Sequence, residues 1–235
     1  MERSLSAGRE APYAVEPVQG MDRNKLGVLV FISSEAIFFA TLIITYIVYR
    51  GIGGGPSARE VLDVPVTGVF TVFLLSSSLT MARVSARLRH GDVAGVRRWL
   101  LATILLGAVF LVGQGYEYVH LYLDNVTISR NLWGSTFFTL TGFHGLHVLV
   151  GLISMAILVA VVGEGRASPP RPLSNAVGEG GPRSSAGEGE RMGRGGEEDR
   201  VRGESAVEAI SYYWHFVDAV WVVIFPVVYL WTLLS

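Results

Sequence analysis

No cysteine occurs among the 235 residues. That absence excludes thiolate-held copper, iron-sulfur clusters, disulfides and covalent haem attachment through a Cys-x-x-Cys-His motif, because each needs the sulfur. Any metal would have to be held by histidine and carboxylate. Charge is scarce too: 17% of the residues are charged against 50% hydrophobic, and the mean hydropathy is positive. The charges lie in blocks between apolar runs, as in a polytopic membrane protein. The net charge of -1 says little else; no nucleic-acid partner is expected. No internal repeat is visible.

What is present is a set of long apolar runs. Crossing a hydrocarbon core of roughly 30 Å takes about 20 apolar residues. Five segments qualify: Leu26 to Tyr49, Val64 to Ala82, Trp99 to Val119, Thr136 to Val162 and Ser211 to Leu234. The predicted fold is an all-α membrane bundle of five helices. Its parts are a cytoplasmic tail over 1–24, helices one to four over 25–162, a cytoplasmic loop over 163–206 and helix five over 207–235. Nothing before Leu26 has the basic start, apolar core and small-residue cleavage site of a secretory signal. The first span is therefore expected to act as its own insertion signal, with the amino terminus retained.

Lys and Arg orient the bundle. With the amino terminus inside, the inner segments hold 16 of these residues and the outer segments hold Arg50, Arg59 and Arg130. Without the long loop the balance is still 9 to 3, which predicts the amino terminus inside and the carboxyl terminus outside. Residues 163–206 contain 11 glycines and four prolines, with Arg alternating with Glu from Glu188 to Glu204. A segment of this composition buries too little apolar surface to offset its ordering entropy, so disorder is expected. The alternative is a docking segment for a neighbouring subunit.

Polar residues inside the spans are the candidate functional groups. At about 1.5 Å per residue, Glu35 lies roughly 13 Å into the first span, near the midplane. Helix four runs the other way and brings His147 to the same level, with His144 one turn further out. An ionised carboxylate at that depth is costly, so Glu35 is expected to be protonated and to hydrogen-bond His147, or else His144. It serves either proton or lipid handling or a structural bond between helices. His144 and His147 share a helix face as metal or haem ligands could, but apart from His215 no other histidine lies well inside a span. Hydrogen-bonded core histidines are the expected state, with no metal site. His215 and Asp218, one turn apart, are expected to pair locally or to link jointly to another helix. Glu117 closes helix three near the outer interface, where it could stay ionised beside Tyr116, Tyr118 and Tyr122. Ser76, Ser77 and Ser78 on helix two, with Gly142, Gly145 and Gly151 on helix four, are expected to let helices pack closely.

Four segments carry a resemblance: Ser33-Ser-Glu-Ala-Ile-Phe-Phe-Ala40, Gln114-Gly-Tyr-Glu-Tyr118, Ser135-Thr-Phe-Phe-Thr-Leu-Thr-Gly-Phe-His-Gly-Leu-His147 and Tyr213-Trp-His-Phe-Val-Asp-Ala-Val-Trp221. In this order and on these helices they resemble subunit III of the haem-copper terminal oxidases, in its five-helix bacterial type. The resemblance implies that Glu35 matches a buried carboxyl that reacts with carbodiimides, and that His144 and His147 lie in the same bundle. Larger members have seven helices, with a lipid-filled cleft between the first two and the rest; this chain lacks that first pair. It also implies a cytochrome c oxidase subunit of the bacterial cytoplasmic membrane with no catalytic residue or redox centre of its own. Haems and copper would sit in partner subunits, and the partners would be the catalytic subunit I, subunit II, a small subunit IV and bound phospholipid. The implied role is to support proton uptake and to protect the active site from turnover-linked inactivation. The alternatives are an accessory subunit of a quinol oxidase or nitric oxide reductase, a b-type haem protein using His144, His147 and His215, and a small proton-coupled transporter with Glu35 as carrier.

Overall fold

The structure, a computed structural model, describes residues 23–50, 52, 61–164 and 185–231. All regular structure among the described residues is helical: α1 Arg23–Tyr49, α2 Val64–Arg89, α3 Val93–Leu123, α4 Leu132–Glu164 and α5 Ser185–Phe225, which runs into a π-helical turn Pro226–Leu230. Each helix contains a span long and apolar enough to cross a membrane: Leu26–Tyr49, Val64–Arg89, Val93–Leu123, Leu132–Ala160 and Gly203–Leu230. The third and fourth spans start earlier than hydropathy alone places them, because capping side chains set those starts. Asp92 accepts from the Gly95 amide at 2.8 Å and Asn131 from the Gly134 amide at 2.6 Å, satisfying amides that have no helical acceptor. Asp63 does the same for α2, accepting from Val66 at 3.1 Å. Pro65 sits in that first turn, where its missing N–H costs no helical bond. Residues 1–22 of the expected tail and 165–184 of the expected loop lie outside the described residues. The backbone of 185–206, also assigned to that loop, continues α5.

α2 and α3 form a tight hairpin. Gly91 has φ 68°, and its amide reaches Leu88 O at 2.9 Å while that of Asp92 reaches Arg87 O at 3.1 Å. This paired closure needs a left-handed residue just past the helix end, which glycine supplies without a Cβ clash. Asn125 (φ 61°) ends α3 in the same way, with Asn125 N bonded to Tyr122 O and Val126 N to Leu121 O. At the far end of α5, Pro226 has no N–H to give. The ladder there shifts register, and Trp231 N reaches back to Pro226 O. The shift buries Val228 and Tyr229.

α2, α3, α4 and α5 close a four-membered ring in which α2 packs on α3 and α5, and α4 packs on α3 and α5. α1 lies outside this ring against α4 and α5, and only 6% of its apolar window is buried. Phe39 and Tyr46 are its fully buried side chains. The ring is centred on Trp214 of α5, which is wholly buried and donates from Nε1 to Ser77 Oγ of α2 at 2.9 Å. A Cβ at Gly107 of α3 or at Gly151 of α4 would come within 2.8 Å of its ring, so both glycines form its seat. One turn pair along, Trp221 Nε1 donates to Thr71 Oγ1 at 3.0 Å. With Ser85 and Ser211 bonded at 3.2 Å, these contacts stitch the antiparallel α2–α5 seam. Van der Waals seating and interhelical hydrogen bonds hold helices together where lipid removes the hydrophobic drive.

The small residues named from sequence therefore differ in what they do. A Cβ at Gly145 would lie 2.8 Å from Gln114 Oε1, whereas one at Gly142 would meet only the Tyr118 hydroxyl, at 3.6 Å. Gly142 is not needed for close packing. Ser77 and Ser78 bond side chains of α5. Ser76 instead returns its hydroxyl to the Val72 carbonyl of its own helix at 2.7 Å.

Candidate functional site

Glu35 and His147 meet where α1 docks on α4. Glu35 Oε2 lies 3.1 Å from His147 Nε2, with side-chain exposures of 21% and 15% respectively. The other ring nitrogen, Nδ1, is 2.7 Å from the Phe143 carbonyl oxygen. A carbonyl can only accept, so Nδ1 carries a proton. The contact with Glu35 then needs one more proton, because an imidazole lone pair facing a carboxylate would repel it. That proton lies between the two, and the pair is neutral whether the acid or the imidazole formally holds it. A shared proton keeps both groups tolerable within a span, where a lone charge is expensive.

Aromatic rings fix the pair. Phe39 meets the His147 ring edge to face at 4.9 Å. Tyr213 of α5 lies roughly parallel to that ring with centroids 6.4 Å apart, and donates its hydroxyl to the His147 carbonyl oxygen at 3.0 Å. The carbonyl bond aligns α5 with the turn of α4 that carries the pair. Beside it lies a groove of about 410 Å³ between α1, α4 and α5, lined by Val28, Phe31, His147, Val150, Ile210 and Tyr213 among others. Its wall is apolar apart from His147, Tyr213 and Ser154.

His144 departs from the expected hydrogen-bonded state. Wholly buried, it stacks on Trp221 at 4.7 Å and 25°, with Phe110 and Phe39 edge-on at 5.9 and 6.4 Å. Neither ring nitrogen has a hydrogen-bond partner among the described residues. The aromatic residues that pack the ring leave no donor or acceptor on that side of α4, so Glu35 takes His147 alone.

Glu117 lies near the C-terminal end of α3, as expected, but is enclosed by protein. It is buried, its Oε1 accepts from the Thr67 hydroxyl at 3.0 Å and its Oε2 from the Tyr229 hydroxyl at 2.6 Å. This carboxyl therefore ties α3 to α2 and to the π-helical turn. Nearby, Gln114 Nε2 donates to Thr141 O at 2.6 Å and to the Tyr118 hydroxyl at 3.1 Å. The Tyr118 hydroxyl in turn bonds Thr141 Oγ1 at 2.7 Å. His215 and Asp218 form no local pair: His215 Nδ1 bonds Ser78 Oγ at 2.7 Å, and both carboxyl oxygens of buried Asp218 lack a hydrogen-bond partner among the described residues.

Sequence reasoning missed Tyr213, Trp214, Trp221, Thr67 and Tyr229. The seven-residue spacing of the two tryptophans was available as a signal, since it puts both on one face of α5. Nothing marked Tyr229, whose burial depends on the register shift at Pro226.

Comparison with known proteins places the chain. The family model for cytochrome c oxidase subunit III matches residues 12–163. A cytochrome c oxidase subunit 3 of Corynebacterium diphtheriae is 36% identical over 223 residues, covering 93% of each chain. A probable cytochrome c oxidase subunit 3 of Nocardia farcinica is 36% identical over 235 residues, covering 96% of this chain and 98% of the relative. A cytochrome bo(3) ubiquinol oxidase subunit 3 of Pseudomonas putida is 32% identical over 206 residues, covering 87% of this chain and 84% of the relative.

Proposed function

Because the chain belongs to the cytochrome c oxidase subunit III family, a family of haem-copper oxidase subunits, we propose that it is the accessory, non-catalytic wall of such a complex. It is a multi-pass bacterial membrane protein and part of a multi-subunit oxidoreductase. In the proposed role it packs on the catalytic subunit I beside subunit II and a small subunit IV, steadies proton uptake and prolongs turnover. The observation that carries this is the 3.1 Å contact between Glu35 and His147 beside an apolar groove. Such a pair can hold a proton and brace α1 without net charge. The groove has the lining and size for an acyl chain of a bound phospholipid, which would fill the gap between α1 and the ring.

The same geometry supports a chain without a redox centre. Both His147 nitrogens are engaged, His144 is enclosed by aromatic rings, and His215 gives Nδ1 to Ser78. These histidines do not converge on a common point where a haem iron or copper could sit. The placement of Lys and Arg supports the amino terminus inside. Arg83, Arg87, Arg89, Arg97 and Arg98 crowd the α2–α3 hairpin, where they would meet the anionic headgroups of the inner leaflet. The ubiquinol oxidase relative supports a second reading for the electron donor, quinol in place of cytochrome c.

Purification through a tag on this chain in mild detergent should bring down the catalytic subunits. Stripping the chain from that complex should leave its visible haem spectrum and copper content unchanged per catalytic subunit. Haem lost in proportion to the chain would overturn the assignment.

A further inference from the structure

The least explained group in the interior is Asp218. Asp218 is 3% exposed and neither carboxyl oxygen has a hydrogen-bond partner among the described residues, a costly state for any carboxyl inside a span. The other buried titratable groups do not bond it: His144 is enclosed by Phe39, Phe110 and Trp221, His147 is bonded to Glu35, and Glu117 to Thr67 and Tyr229. The hydroxyl that α2 presents to this turn of α5 is that of Ser78. That hydroxyl is already 2.7 Å from Nδ1 of His215, one turn back on α5. The His215 ring is only half-buried. The order from core to flank is carboxyl, hydroxyl, imidazole.

We propose that Asp218, Ser78 and His215 form a proton relay across the α2–α5 seam, through which the buried carboxyl exchanges its proton with the flank of the bundle. In one state the Asp218 acid O–H points to Ser78 Oγ, the Ser78 hydroxyl donates to His215 Nδ1, and the imidazole is neutral with its proton on Nε2. In the other, the Asp218 O–H bond has broken and its proton is on Ser78 Oγ. The former Ser78 proton is then on Nδ1, leaving a carboxylate that accepts from Ser78 and an imidazolium. The two states differ by a concerted shift of two protons and need no outside reactant. Loss of the Nε2 proton at the flank, and its return, complete an exchange. A hydroxyl suits the middle position because it donates and accepts at once. The relay is separate from the Glu35–His147 pair and does not depend on the role proposed for it.

The test is infrared spectroscopy of the intact oxidase complex containing this chain, transferred into heavy water. The carbonyl stretch of a protonated acid that disappears in Asp218→Asn, or moves in Asp218→Glu if the asparagine variant fails to assemble, belongs to Asp218. Its deuterium shift should be complete within the first spectra of the native complex. It should become at least about tenfold slower in Ser78→Ala, since a positioned proton-transfer partner contributes a hundredfold or more, and should recover in Ser78→Thr, which restores the hydroxyl. His215→Phe should slow it as Ser78→Ala does. An unchanged exchange rate in Ser78→Ala, or no protonated-acid band assignable to Asp218, would overturn the relay.

Discussion

Replacing Trp214 with alanine should destabilise the bundle by about 3–5 kcal/mol, the cost of removing a large, fully buried aromatic side chain. The change should appear as a lower unfolding midpoint of the complex-bound chain in mild detergent and as earlier loss of the chain from the complex. Trp214 touches every helix of the ring. It donates to Ser77 of α2, fills the spaces left by Gly107 of α3 and Gly151 of α4, and is carried by α5. Trp214→Phe keeps much of the ring but loses the bond to Ser77, so about 1 kcal/mol is expected. Gly151→Val attacks the same seat from the other side by driving a side chain into the indole, with an expected cost of about 1–3 kcal/mol. Val112→Ala, at a position 73% exposed, is the control and should stay within about 0.5 kcal/mol. A Trp214→Ala chain as stable as this control would remove the tryptophan from the centre of the account.

The second large effect concerns the pair that fastens α1. His147→Leu leaves the Glu35 carboxyl with its partner gone, and about 2 kcal/mol should be lost. Glu35→Leu should cost somewhat less, because the imidazole keeps its bond from Nδ1 to the Phe143 carbonyl. The double variant Glu35→Leu with His147→Leu should be less destabilised than the sum of the two, by about 0.5–2 kcal/mol, since removing both partners strands neither. Glu35→Gln should lie nearest the native chain, as its amide can donate to Nε2 of a neutral imidazole. Unfolding of the four chains in one detergent gives the cycle. Strict additivity would mean that the 3.1 Å contact carries no coupling and that α1 is held by its packing contacts.

Why the sequence revealed some of this and not the rest follows from the kind of signal each residue leaves. Five spans are legible because hydropathy sums over twenty residues, and the first, Leu26–Tyr49, emerges with the same limits from sequence and structure. Starts of α3 and α4 are not legible that way, since single capping side chains, Asp92 and Asn131, decide them. Glu35 and His147 could be matched by depth because a straight helix converts residue number into height. Depth says nothing about azimuth, however. His144 faces the interior of the ring and is walled in by Trp221 and Phe110, while His147, on the next turn, faces α1. Closeness to a helix end gives the level of Glu117 but not its enclosure, since the π-helical turn at Pro226 brings Tyr229 inward to cover it. For Asp218 and His215 the spacing leaves two expectations open, and of these the local pair does not form, while His215 shows the link to another helix through Ser78 of α2.

The central claim is that this chain acts on proton supply and durability and not on the bond-making chemistry of the oxidase. Its most direct test is oxygen consumption followed over many turnovers in complexes with and without the chain, at neutral and at raised pH. The account predicts a complex without the chain that starts turning over, runs more slowly as pH rises and protons become limiting, and loses activity with successive turnovers. Immediate and total loss of activity would contradict it by assigning the chain to catalysis or assembly, and identical rates and lifetimes at both pH values would contradict it by leaving the chain no role in proton supply.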